Sequence, residues 1–319
     1  MITQYTHYGL IFTAQDVTNA QTHRAQAPYA GAWAQFESLS TDTHTLSIPY
    51  QHSLYNALRW RLLNDVEAGA RALESLPMVW EYLCFVPNPI DVWVLGRFGA
   101  IQTYECLRDH PAYEPKLHDP FKEMVYEWIR EGFPTEQVTV KNAWWALVKM
   151  AAGVAFEDSE LIETTAIEIC GLIDTIHPAG YIPSVIQTKP DDTANFRYTV
   201  STIHALTLAA EVALHVGIDL WAHQKRTVSL MTTAFYPLYY YYYPEKWKWA
   251  EGLTFEMAQG AIRQARGYLE IVNRRRPNVH AVNMILKELR PVINVSGGGA
   301  LTLTHNPAPP PKRGWFNRG

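Results

Sequence analysis

The chain has 319 residues, is 48% hydrophobic and 13% aromatic, and carries a formal net charge of −4. That is enough apolar material for a sizeable core, and the balance of charge offers no global attraction for nucleic acid or an anionic membrane. No uninterrupted apolar run is long enough to cross a membrane. Cys84, Cys106 and Cys170 show no C-x-x-C spacing, so neither a disulfide framework nor a zinc site is expected. Each reads as a small apolar residue within a helix. Residues 1–6 have no basic n-region and no apolar run, so no signal peptide is expected there.

Thr13 followed by Asp16 predicts a helix N-terminus with a capping box. Pro28 breaks that helix, and residues 30–39 resume it. Residues 40–51 are polar and read as a loop, with His44, Tyr50 and the adjacent His52 either solvated or reaching a cleft. Apolar residues at helical spacing then predict helices over 54–76, 91–108 and 119–131, marked by Leu54, Leu58 and Leu62, by Val94, Phe98 and Ile101, and by Phe121, Val125 and Trp128. Proline-rich connections containing Pro87, Pro89, Pro111, Pro115 and Pro134 separate them. Further helices are expected over 142–155, 158–175, 199–216, 220–235, 255–273 and 280–289. No stretch of any length alternates with period two. About ten helices joined by short loops predict all-α packing in antiparallel hairpins. A ring of hairpins around a central cleft is one solution. A solenoid is the rival, but no fixed-period repeat supports it.

Five consecutive tyrosines, residues 239–243, either line a sugar-binding surface or pack a helix end. Arg274, Arg275 and Arg276 read as a basic helix end that complements the helix dipole. Gly297-Gly298-Gly299 lacks a following Lys-Ser/Thr and reads as a turn rather than a phosphate loop. Residues 307–319, with three consecutive prolines, read as an extended or disordered tail after a single domain spanning 1–306.

Several segments carry a family likeness in chain order. They are His7-Tyr8-Gly9-Leu10-Ile11-Phe12-Thr13, the Ala-rich stretch 54–76, residues 140–145, Ala179-Gly180-Tyr181-Ile182-Pro183, residues 198–221, and the stretch from Gly297-Gly298-Gly299 to Leu303-Thr304-His305. Together they resemble the alginate lyase family, polysaccharide lyases built on an α/α toroid. The resemblance implies an incomplete α/α toroid, a ring of antiparallel helical hairpins. It implies a lyase or lyase-like protein that cleaves a uronate-containing polysaccharide such as alginate by β-elimination, without a metal or other cofactor. It implies an anionic polysaccharide or oligosaccharide as partner, no nucleic acid or membrane, and a periplasmic or secreted location. Oligomeric state stays open.

The departures fall on the chemistry. Alignment on Trp145 puts Asn142 where the family's Asn-Asn-His-x-x-Trp motif has its catalytic histidine, and Lys141 where it has an asparagine. The family's arginine position falls on Ala194, with Arg197 the nearest arginine. Tyr198 matches a tyrosine of many members, but the acid/base tyrosine of one branch is Ser201 here.

β-Elimination removes the C5 proton of a uronate and expels the O4 substituent. The C5 proton is acidic only when the neighbouring carboxylate is neutralised, which Lys141, Asn142 and Arg197 are equipped to do. Tyr198 is the candidate base or acid. His204, two helical turns beyond Arg197, faces the same way and stands in for the missing histidine, or is a satisfied core residue. Trp144, Trp145 and Tyr181 are candidates for stacking on sugar rings, although adjacent helical residues diverge and at most one of the two tryptophans faces a cleft. Lys141, Asn142, Arg197 and Tyr198 are expected to converge on one concave surface. Two alternatives stay open: a non-catalytic carbohydrate-binding or structural protein on the same fold, and a hydrolase of acidic oligosaccharides. No metal-ligand spacing is present.

Overall fold

The computed structural model describes residues 2, 4–39, 49–85, 90–132, 139–294 and 298–306. The expectations for His44, for Pro87, Pro89 and Pro134, for Gly297 and for the 307–319 tail lie outside the described residues.

The first helix, α1 (Ala14–Thr22), starts at the expected capping box, in which Thr13 and Asp16 satisfy each other's backbone amides. After it come α2 (Tyr29–Ser38), α3 (Pro49–Leu63), α4 (Val66–Phe85), α5 (Ile90–Leu107) and α6 (His118–Glu131). The middle of the chain forms α7 (Thr139–Ala155), α8 (Ser159–Asp174), the short α9 (Pro183–Thr188) and the long α10 (Ala194–Leu214). A two-residue hairpin, β1 (Gln224–Lys225) and β2 (Val228–Ser229), precedes α11 (Leu230–Phe235) and α12 (Leu238–Tyr242). The chain then forms α13 (Phe255–Gln264), α14 (Gly267–Arg275), α15 (His280–Leu289) and α16 (Leu301–Thr304).

Helices α3, α5, α7 and α10 pack each against the next, and α10 continues the arc onto α13 and α14. Helix α4 covers α3 and α5 from one side, and α8 covers α7. This is the incomplete α/α toroid: an inner arc of helices backed by an outer layer. Burial follows the layering. Helix α8 buries one stripe, Ile162, Thr165, Ile169 and Ile173, and exposes the rest. Helix α10 is buried on nearly every side from Thr202 to Ala213. Its buried threonines return their hydroxyls to the backbone, Thr199 to the Asn195 carbonyl and Thr202 to the Tyr198 carbonyl, so these hydroxyls are satisfied within the helix.

Four expected elements differ. The helix expected over 54–76 is two, divided at Asn64, which adopts a left-handed φ of 56°. Asp65 then opens α4, accepting the Ala68 amide at 3.0 Å. The helix expected over 255–273 divides at Ala265–Arg266 into α13 and α14. The helix expected over 220–235 begins only at Leu230, because Arg226 and Thr227, with φ of 51° and 66°, form a tight hairpin turn. Tyr50 and His52 are not in a polar loop: both are buried in α3.

The ends of the chain close on the middle. Gln102 of α5 donates to the Gly9 carbonyl and accepts the Gly298 amide at 3.0 Å, which joins two of the motif segments. Glu211 of α10 joins two more. Its carboxylate takes a bidentate pair of 2.9 Å bonds from Arg275 and a 2.9 Å bond from the Trp221 indole, while His305 Nε2 stands 3.7 Å away. Burial pushes the Glu211 carboxyl up, and the His305 and Arg275 contacts outweigh it, leaving the group below the ordinary range. Arg274 pairs with Asp16 and donates to the Thr304 carbonyl. Two of the three consecutive arginines therefore bind carboxylates, where complementing a helix end had been expected.

Candidate active site

The site is built on one face of α10. Arg197, Tyr198, Ser201 and His204 fall at i, i+1, i+4 and i+7, which places them along a single stripe. Together they line a cavity that is partly open to solvent and takes in about 610 Å³ of space with that open solvent included. Trp144 of α7, Leu95 of α5, Ala261, Gln264 and Ala265 at the end of α13, and Asn294 complete its wall.

Position along the stripe sets the environment of each group. Arg197, in the first turn of α10, is exposed, and its guanidinium lies 5.6 Å from the Tyr198 ring centre. Tyr198 is half-buried. His204, two turns deeper, is 3% exposed and meets the Trp144 ring edge-to-face at 5.5 Å. Burial lowers its pKa to about 4, so the imidazole is neutral through the physiological range. Its Nε2 has no hydrogen-bond partner and faces Gly267, where a Cβ would sit 3.0 Å away. Trp144 also donates its indole N–H to Ser201 Oγ at 2.8 Å. The site therefore grades from a solvated cation at its mouth to a neutral, desolvated imidazole at its floor.

The other sequence candidates lie elsewhere. Asn142 is exposed and, with Trp145, Lys149 and Glu168, lines a separate groove between α7 and α8. It does not join Arg197 and Tyr198 on one concave surface, because it lies two residues from Trp144 and a helix turns about 200° over that step. Trp145 is 9% exposed and packs under the Arg97 guanidinium at 5.7 Å. Lys141 is half-buried one turn before Trp144, on the same side of α7, and lines neither depression. Tyr181 stacks on His177 at 4.4 Å and meets Trp249 at a tilt at 4.7 Å, in an aromatic cluster that continues through Tyr236 to Tyr240 of α12. The tyrosine run divides: Tyr241 is buried and bonded to Glu288, whereas Tyr239 and Tyr243 are exposed.

Sequence reasoning passed over Ser201, Gln264, Ala265 and Asn294 as wall residues. Their only signal is spatial, since three of them come from segments sixty or more positions away from α10's first turn. No group of His, Cys, Asp or Glu able to hold a metal ion occurs among the described residues, and no described helix is long and apolar enough to cross a membrane.

The fold is an all-helical α/α toroid with a polar and aromatic cavity on its inner arc, and its solved neighbours share that toroid. The particular likeness is to alginate lyases: the alginate lyase family model matches residues 141–247, which span α10 and half of the residues that line the cavity. No curated protein matches the chain. Among solved structures, a histidine-to-alanine variant of alginate lyase A1-III complexed with tetrasaccharide superposes with a TM-score of 0.68 at 16% identity, covering 82% of this chain and 76% of that one. Alginate lyase A1-III from Sphingomonas species A1 gives 0.66 at 16% identity, covering 81% and 75%. An alginate lyase from Bacteroides ovatus gives 0.69 at 11% identity, covering 94% and 100%. The chain thus resembles the alginate lyase family in sequence through its middle third and in fold through most of its length.

Proposed function

We propose that this protein is a polysaccharide lyase that cleaves a uronate-containing polysaccharide, such as alginate, by β-elimination. The observation that carries this reading is the stripe Arg197, Tyr198 and His204 on α10, open to one cavity and faced by Trp144. Arg197 pairs with the carboxylate of the reacting sugar and stabilises the charge that builds there as C5 loses its proton. Tyr198 is the proton-transfer group. Acting first as base and then as acid, its oxygen takes the C5 proton, the C4–O4 bond breaks as the C4–C5 double bond forms, and the same proton passes to the departing O4 oxygen. His204 is not assigned the proton, because charging it would place an unpaired cation in a desolvated site. It forms the neutral floor against which the ring is held.

A hydrolase of acidic oligosaccharides would need two carboxyl groups flanking the bond, and none lines the cavity. The test is incubation with polymannuronate, polyguluronate and glucuronan while following absorbance of the unsaturated product. A rise with any of them supports elimination. No rise with all three, from protein that still binds them, leaves a carbohydrate-binding protein instead.

A further inference from the structure

Most arginines of this chain are matched to carboxylates, as Arg61 is to Asp109, Arg275 to Glu211 and Arg290 to Glu270. Among the described residues, Arg197, Arg226, Arg263, Arg266 and Arg276 have no carboxylate within 4.0 Å. Three of these five line one feature. Arg197, Arg263 and Arg266 border an open groove of about 1170 Å³ between the start of α10 and the outer face of α13. The groove shares Arg197, Ala261 and Gln264 with the cavity, so it opens directly onto the candidate active site.

Arg263 and Arg266 are three residues apart, one at the end of α13 and the other just beyond it. Burial, and then Arg263, hold the Arg266 guanidinium below its usual range. Two backbone carbonyls fix the Arg266 fork: Nη1 donates to Arg263 at 3.3 Å and Nη2 to Ile293 at 3.4 Å, while its buried Nε has no partner. Two acids, Asp192 and Glu256, border the same groove. Asp192 is engaged with the Ala194 amide at 2.8 Å, and neither acid reaches these guanidiniums. A wall of mutually repelling, unneutralised cations beside a sugar-sized cavity is relieved by an anion.

We propose that this groove is a second acidic-sugar subsite, in which Arg263 and Arg266 hold the carboxylate or sulfate of the residue next to the one bound beside Arg197. This rests on the glycan-binding part of the reading above. The subsite selects chains charged on successive residues over chains with isolated charges.

The test measures binding of polymannuronate, polygalacturonate, dextran sulfate and neutral dextran by affinity electrophoresis at low and high salt. The proteins are wild type, Arg263→Glu and, off the groove, Arg276→Gln. Arg263→Glu weakens binding of the acidic polymers by roughly ten-fold at low salt and by less at high salt, and Arg276→Gln binds as wild type does. Arg263→Gln, which removes the positive charge without adding a negative one, falls between. Preference for polyuronates over dextran sulfate assigns carboxylate as the ligand group, and the reverse assigns sulfate. Acidic-polymer binding by Arg263→Glu equal to wild type overturns the subsite, as does an equal loss in Arg276→Gln. The two readings separate cleanly. Arg263-dependent binding without unsaturated product leaves the subsite standing and removes the lyase. Product formation with Arg263-independent binding does the opposite.

Discussion

The indole nitrogen of Trp144 donates to Ser201 Oγ at 2.8 Å, and this one bond ties α7 to α10 at the wall of the cavity. The same indole meets His204 edge-to-face, so the hydrogen bond also sets the ring that braces the cavity floor. Trp144→Phe keeps an aromatic ring and deletes the donor. It should cost about 1 kcal/mol, read as a lower urea midpoint with an unchanged slope, and should weaken glycan binding because the wall loses its anchor. An unchanged midpoint together with wild-type binding would show that α7 and α10 hold their positions without it.

Glu211 is the more demanding position for stability. Its buried carboxylate serves Arg275, Trp221 and the His305 ring together, none of which lines the cavity. Glu211→Gln leaves Arg275 without its anion in a mostly dry site and should destabilise by about 3–5 kcal/mol. Folded variant protein should bind glycan normally. A small change in thermal stability would mean that the closing segments around Trp221 and His305 hold independently of this cluster.

His7 gives a pH dependence with a definite sign. It lies between Glu105, 2.8 Å from Nδ1, and Glu157, 3.0 Å from Nε2, with Arg108 also 2.8 Å from Nδ1. The hydrogen bond to Glu105 raises its pKa, burial and Arg108 oppose the rise, and the carboxylates prevail. A raised pKa means that the folded state holds the proton more tightly. The stabilisation is complete below the unfolded value of about 6.5 and is lost as pH climbs through the folded value. Thermal melts from about pH 5 to 9 should therefore show a decline above neutrality that His7→Gln abolishes. Parallel curves for the two proteins would remove His7 as the cause.

Much of the fold was legible because helices announce themselves through spacing. Leu54, Leu58 and Leu62 sit on the buried face of α3, and residues 280–289 form α15 at the bounds the pattern gives. What was missed depended on backbone details. The turn at Arg226–Thr227 uses left-handed residues without the Asn-Gly signature, so the surrounding sequence passed for helix. At the site, the stripe on α10 was readable, since one helix fixes the relation of Arg197, Tyr198 and His204. The opposite wall was not, because Gln264, Ala265 and Asn294 arrive there only through packing across the toroid. Asn142 shows the hazard of alignment without geometry: alignment on Trp145 assigns it a catalytic place, but the tryptophan that faces the cavity is Trp144, and Asn142 points into another groove.

In the proposed elimination Tyr198 transfers the proton, and its substitution is the decisive kinetic test. Tyr198→Phe removes one hydroxyl and keeps the ring beside Arg197, so packing and glycan binding should be nearly unchanged. Turnover on polyuronate should fall by about 10²–10⁴-fold, in kcat rather than KM, because proton transfer stabilises only the transition state. Arg197→Ala should lower kcat and raise KM together, since its partner carboxylate is charged in the ground state and more so as C5 is deprotonated. His204→Ala separates floor from base. It deletes a buried ring packed on Trp144, so it should lower stability, while the folded fraction keeps a Tyr198-dependent rate and the same pH profile. A His204→Ala variant that folds as wild type does yet loses turnover as completely as Tyr198→Phe would move the proton from the phenol to the imidazole. A Tyr198→Phe variant with undiminished turnover would take the phenol out of the reaction altogether.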